Sequence, residues 1–193
     1  EPDMVLVYGD TNSTLAGALA AAQRRIPVAH VEAGMRSFDR SMPEELNRVL
    51  TDHASDLLLC STQTAVDNLA RESARGEVHL VGDVMADVSL AFRGIAAERS
   101  TIVADLGLAP GGYLAVTAHR AGNVDDPQRL GLLVELLTAL PGQVVFPAHP
   151  RTRARLEAVG LIDRLDGVTL TQPLGYLDFL ELARHARAVL TDS

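Results

Sequence analysis

The chain is predicted to adopt an α/β fold built on parallel sheets, and three observations predict it. Short β-rich runs alternate with helical stretches along the whole sequence. Runs such as Met4-Val-Leu-Val-Tyr8 are apolar throughout, as strands covered on both faces are. After Gly111-Gly112 the same alternation starts again, which predicts two α/β units in series.

The elements follow in order. Met4 to Tyr8 reads as a strand turned by Gly9-Asp10-Thr11, and Asn12 to Arg25 as a helix capped by Thr11 or Asn12. Val28 to Glu32 is a second strand and Ala33 to Met42 a loop. Pro43 fits the first position of a helix running to about Ala54, with Glu44 and Glu45 in its favourable first turn. Asp56 to Cys60 is a strand, Thr62 to Arg75 a helix and Val78 to Val81 a strand. The domain boundary is placed between Asp83 and Gly112, which gives a first, incomplete α/β unit over 1–83, a linker region over 84–112 and a second, incomplete unit over 113–193. In the second, strands are expected at Tyr113 to Thr117, Val144 to Pro147, Val168 to Thr171 and Ala188 to Leu190. Helices are expected at Pro127 to Leu140, Arg151 to Gly160 and Tyr176 to Ala186.

Composition excludes several classes. Hydrophobic residues at 47% and charged residues at 22% are those of a folded globular chain. A net charge of −8 argues against a broad footprint for nucleic acid or an anionic membrane, so an anionic ligand must be gripped locally. All 17 cationic residues are Arg, which rules out Schiff-base and P-loop lysine chemistry. Coding bias accounts for the missing Lys, and Arg serves phosphate well. The one cysteine, Cys60, excludes an internal disulfide and reads as a small buried hydrophobe. No apolar run is long enough to span a membrane, and a reducing, cytoplasmic setting is expected. The chain starts at Glu1-Pro2 and stops at Thr191-Asp192-Ser193, and both ends read as cut.

Ligands of open α/β sheets bind beyond the carboxyl ends of the strands, and the chemistry-bearing residues collect there. Asp10 follows the first strand, where it acts as an acid/base or a turn residue. Glu32 ends the second strand, where a carboxylate is costly unless it is used or paired with Arg36. His30 and Glu32 share a strand face, but a metal would need further ligands that the sequence does not supply. Asp52 and His53 read as a solvated helical face. His119-Arg120 is a loop pair suited to a pyrophosphate, and His149 lies in the rigid Pro-Ala-His-Pro turn. Phe179, at helical spacing from Tyr176 and Leu182, reads as core.

Six strings carry more than their parts. They are Gly9-Asp10-Thr11-Asn12-Ser13-Thr14, His30-Val31-Glu32-Ala33-Gly34-Met35-Arg36, Pro43-Glu44-Glu45-Leu46-Asn47-Arg48, Thr117-Ala118-His119-Arg120 with Asn123, Pro147-Ala148-His149-Pro150, and Thr191-Asp192-Ser193. In order and spacing they resemble the non-hydrolysing UDP-N-acetylglucosamine 2-epimerases, over essentially the whole chain. The resemblance implies a glycosyltransferase-B-like fold, two Rossmann-like domains with parallel sheets, both incomplete in this chain. Gly122 stands where the family usually has Glu. Family members also run well beyond this length at both ends, so the chain reads as an internal fragment that does not turn over by itself.

The resemblance implies inversion of C2 in UDP-GlcNAc to give UDP-ManNAc, by elimination of UDP to a glycal and re-addition, without cofactor or metal. It implies Asp10, Glu32 and Glu44 as catalytic acids and bases, with His119 assisting at the phosphate. It further implies UDP contacts from Arg48, Phe179 and Ser193. Arg120 and His149 would lie near a second, allosteric UDP-GlcNAc, and the full-length enzyme would be a homodimer acting in cell-surface polysaccharide biosynthesis. The competing expectations are a UDP-sugar glycosyltransferase of the same fold and a non-catalytic sugar-nucleotide-binding fragment.

Overall fold

The computed structural model describes residues 2–192. It divides into two compact units, Glu1–Val88 and Ser89–Ser193.

The first unit holds β1 (Val5–Tyr8), α1 (Asn12–Gln23), β2 (Val28–Ala33), α2 (Pro43–Ala54), β3 (Leu57–Cys60), α3 (Gln63–Arg71) and β4 (Glu77–Leu80). Its four strands are parallel in the order β1-β2-β3-β4. The Thr11 side chain accepts from the Thr14 amide to start α1, and Thr62 accepts from Ala65 to start α3. Pro43 occupies the first turn of α2, where its missing N–H costs nothing. The core has small residues, Val7, Ala18, Ala21 and Val28, under α1, and mixes small with large ones, Ala33, Leu58, Cys60, Ala65 and Leu69, under α3. Cys60 is fully buried, and burial pushes its thiol up to about 11.

Between the two sheets come α4 (Val84–Arg99) and α5 (Ile102–Asp105), so the stretch expected as a linker region is largely helical. Asp83 receives the Met85 amide at the start of α4. The apolar residues of α4 are spread around its circumference, and Met85, Leu90 and Phe92 are exposed. Without one apolar stripe the segment lacks the periodic signal of an amphipathic helix.

The second unit continues with β5 (Tyr113–Thr117), α6 (Ala121–Val124), α7 (Pro127–Ala139), β6 (Gln143–Pro147), α8 (Pro150–Ala158), a 3-10 turn at Ile162–Arg164, β7 (Val168–Thr171), α9 (Tyr176–His185) and β8 (Ala188–Thr191). The parallel order is β7-β6-β5-β8. Strand order reverses between β5 and β8, which opens a crevice at their carboxyl ends. One core, of Val116, Leu130, Val134, Leu137, Phe146 and Leu156, packs α7 and α8 on the sheet. Another joins Leu108, Tyr113, Ala115, Val145 and Leu182, with Ile102, Val103 and Leu106 of the α5 region against it. The buried Tyr113 hydroxyl donates to the Leu182 carbonyl at 2.5 Å. Burial pushes that phenol up to about 12.

Candidate active site

In the first unit the site forms where β1 and β2 end. The register of β2 against β3 slips between Val31 and Ala33, and Glu32 takes a left-handed φ of +71°. Such a conformation costs an L-residue about 1–2 kcal/mol. It turns Glu32 out of a strand that is otherwise buried from Val28 to Ala33, so the residue is exposed at the end of the sheet. Gly9, with φ +64°, faces it, and a Cβ there would lie 3.5 Å from Glu32 Oε2. Desolvation, then the charges of Asp10 and Asp83, raise Glu32 above the ordinary carboxylate value, against Arg48 and His30. The acidic pair expected from the sequence, Asp10 and Glu32, is therefore brought together.

Arg48 of α2 forms an ion pair with Asp10 and lies 3.4 Å from Glu45. Its Nε is buried without a hydrogen-bond partner among the described residues. Asn47 donates 2.9 Å bonds to the Asp10 carbonyl and to Asn12 Oδ1, fixing the turn after β1 to α2. Glu45 is buried and accepts from Ser37 N, Ser37 Oγ and Phe38 N. Burial alone would raise its carboxyl, but these donors and Arg48 hold it below its ordinary value. Glu44 stands exposed in the first turn of α2, outside the charges that raise Glu32.

Asp52 corrects the sequence reading. It is fully buried, not solvated, and accepts from His30 Nδ1 at 2.6 Å, Gly34 N at 3.1 Å and Arg36 Nη1 at 2.8 Å. α2 turns Asn47, Thr51 and Asp52 inward and leaves Leu46 and Leu50 exposed, the reverse of an ordinary amphipathic helix. Arg36 pairs with Asp52 and Glu72 rather than with Glu32. His30 spends both ring nitrogens on Asp52 and the Gly9 carbonyl. Among the described residues no group of three or more His, Cys, Asp or Glu is placed to hold a metal.

In the second unit the loop after β5 is organised by Asp192, just past β8. Its carboxylate accepts from His119 N, Arg120 N at 3.0 Å and Asn123 Nδ2 at 3.1 Å. Burial would raise this carboxyl, but the Asn123 amide and the two backbone donors hold it below its ordinary value. His119 Nδ1 lies 3.4 Å from Asp192 Oδ1, with the ring more than half exposed. Arg120 is exposed beside it. A groove of about 710 Å³ opens here, lined by Thr117, Ala118, Asn123, Arg129, Thr191 and Asp192 among others. His149 caps α8 by accepting the Arg151 amide at 3.2 Å, and Arg151 pairs with Asp125. Phe179 is half-buried on α9 rather than in the core. Ser193 lies outside the described residues.

Asp52, Asn47 and Asp192 are the site-shaping residues that the sequence reading did not single out. The signal for Asn47 and Asp52 is a polar stripe at helical spacing, Asn47, Thr51 and Asp52, on a helix whose apolar residues would otherwise face the sheet, and Asp192 is marked only by its place after a strand.

Comparison with known proteins gives the family of the chain. The family model described as UDP-N-acetylglucosamine 2-epimerase matches residues 1–193. The chain is 48% identical to a UDP-2,3-diacetamido-2,3-dideoxy-D-glucuronate 2-epimerase of Pseudomonas aeruginosa, covering all of this chain and 54% of that protein. It is 45% identical to a UDP-N-acetylglucosamine 2-epimerase homolog of Methanococcus maripaludis, covering all of this chain and 55% of that one. Among solved structures, the Methanocaldococcus jannaschii UDP-GlcNAc 2-epimerase in complex with UDP-GlcNAc and UDP aligns at TM-score 0.90 and 44% identity, over all of this chain and 55% of its own. The chain thus spans about half the length of the relatives it matches.

Proposed function

The chain belongs to the UDP-N-acetylglucosamine 2-epimerase family, and from that membership we propose that the protein carrying it inverts C2 of UDP-N-acetylglucosamine to give UDP-N-acetylmannosamine. The observation that carries the reading is the Asp10–Glu32 pair at the ends of β1 and β2, held beside Arg48.

The C2 proton of the sugar is not acidic, so direct deprotonation to a free carbanion is prohibitive. Elimination avoids it: the base takes the C2 proton while the C1–O bond breaks, and UDP leaves with the electron pair. A glycal forms, UDP returns to C1, and a proton is delivered to the opposite face of C2. No net oxidation occurs. The chemistry needs two acid/base groups and cationic or N–H donors at the departing diphosphate. Asp10, Glu32 and Glu44 serve as the acid/base set. A carboxyl raised by burial and a neighbouring anion exchanges protons nearer neutrality than an ordinary one, which supports Glu32 in this role.

At the leaving group, His119 assists from the loop ordered by Asp192, and Arg48, Phe179 and Ser193 contact UDP. Arg120 and His149 flank a second UDP-GlcNAc that activates the enzyme. The complete protein works as a cytoplasmic homodimer supplying activated sugar for cell-surface polysaccharide. The division of the chain into the C-terminal part of a first Rossmann-like domain over 1–83, a linker over 84–112 and the N-terminal part of a second, UDP-binding domain over 113–193 belongs to the same proposal.

A second reading is favoured by one observation, the 48% identity to the diacetamido-glucuronate 2-epimerase. It keeps the chemistry and changes the sugar. Incubating the complete protein with each UDP-sugar separately, and following the anomeric signals by NMR, tests both. Formation of UDP-ManNAc from UDP-GlcNAc supports the first reading, turnover of only the diacetamido uronate selects the second, and turnover of neither overturns the epimerase reading.

A further inference from the structure

Glu32 sits on strained left-handed backbone, so something must hold it beside the Gly9–Asp10 turn. Glu32 is flanked on both sides by ties that lead to one buried group. On the β1 side, His30 Nε2 contacts the Gly9 carbonyl at 2.8 Å, and the Gly9 amide donates to the Val31 carbonyl at 3.2 Å. On the far side, the Gly34 amide donates to Asp52, and the Gly34 carbonyl accepts from Asn68 at 3.0 Å. His30 and Asp52 are both wholly buried and joined to each other at 2.6 Å. Asp52 is anchored in turn by Arg36, itself 1% exposed and held by Glu72 through Nε at 2.8 Å and Nη2 at 2.7 Å. The His30 ring thus bridges the Asp52 carboxylate on Nδ1 and the Gly9 carbonyl on Nε2.

From this geometry we propose that His30 and Asp52 act as a positioning pair, which ties the Gly9–Asp10 turn to the strained Glu32 bulge and sets the separation of the Asp10 and Glu32 carboxylates. Neither side chain needs to touch substrate. The inference rests on the reading of Asp10 and Glu32 as the acid/base pair. Charged and titratable groups around Glu32 are Asp10, Asp83, Arg48 and His30. Those around the pair itself are Arg36, Glu72 and Cys60. A pair that works through its bond to Gly9 predicts that the contact on Nε2 matters more to rate than the contact on Nδ1, although the latter is shorter.

His30→Gln places an amide nitrogen near the position of Nε2 and keeps the tie to Gly9. His30→Asn places one near Nδ1 and keeps the contact to Asp52. In the complete protein, His30→Asn is expected to lower kcat roughly 10²-fold, the scale for a misplaced acid/base group, with KM little changed. His30→Gln should retain most of kcat. Asp52→Asn is isosteric and serves where a His30 variant does not fold. Through the Gly34 amide, which Asp52 also holds on the far side of the bulge, it should lower kcat and move the acidic limb of the kcat–pH profile to lower pH, as Glu32 shifts away from Asp10. A purely structural role would lower the melting temperature and leave kcat per folded molecule and the acidic limb in place, and that result overturns the proposal. If the wild-type protein fails to epimerise, the carboxyl titration of Glu32, read by carbon-13 NMR, decides separately. A raised value in the wild type that falls in Asp52→Asn upholds the positioning role, and the same titration in both overturns it.

Discussion

Gly9 and Glu32 stand opposite each other across the ends of β1 and β2, both in left-handed backbone and close enough that a Cβ on Gly9 would touch the Glu32 carboxylate. Two adjacent strand ends have been bent to bring a carboxylate over a neighbouring turn. The cost is local and appears in stability rather than in packing.

Glu32→Gly removes both the left-handed strain and the repulsion from Asp10. It is expected to raise the unfolding free energy at pH 7 by about 1 kcal/mol while abolishing activity. Glu32→Gln removes the charge alone and should stabilise less. The raised folded value fixes the sign: the penalty is absent below the ordinary glutamate value of 4.5 and grows as pH rises from there through the folded value. Urea unfolding at pH 4 and pH 7 measures both variants.

Gly34→Ala should damage the fold. Gly34 has φ +77°, and an added Cβ would collide with the Ala65 backbone, which cannot retreat as a flexible side chain could. A loss of at least about 2 kcal/mol is expected, read as a lower thermal midpoint.

Glu45 and Asp192 should govern acid sensitivity. Both carboxyls lie below their ordinary values, 4.5 for Glu45 and 3.8 for Asp192. Each contributes stability that is fully present above the ordinary value and is lost as pH falls through the lower folded one. Stability should therefore fall steeply below about pH 4.5, and Asp192→Asn should flatten its own share of that slope in the second unit.

Cys60 should be inert in the folded protein. It is buried, and its thiol is pushed up to about 11. Iodoacetamide at pH 8 is expected to label it only after denaturation, and labelling of the native chain would contradict the burial.

Much of this was legible in the sequence because the physics was local. Continuous apolar runs gave the strands, Thr11 and Pro43 marked helix starts, and the carboxyl ends of strands located Asp10, Glu32 and His119. What escaped was tertiary. Asp52 read as a surface residue because helices ordinarily bury apolar residues. Here three N–H donors from His30, Gly34 and Arg36 make its burial favourable. The left-handed turn at Glu32 had no sequence signal, since a glutamate does not advertise positive φ. α4 was missed because its apolar residues are scattered around the helix.

The most direct test of the account is C2 hydrogen exchange in heavy water, followed by NMR on UDP-GlcNAc with the complete protein and its Glu32→Gln variant. The account predicts deuterium at C2 with the wild type. It predicts loss of at least about 10²-fold in exchange with the variant, the usual scale for removing an acid/base group, while UDP still binds. Exchange by Glu32→Gln at the wild-type rate would contradict the assignment of the Asp10–Glu32 pair as the seat of the chemistry.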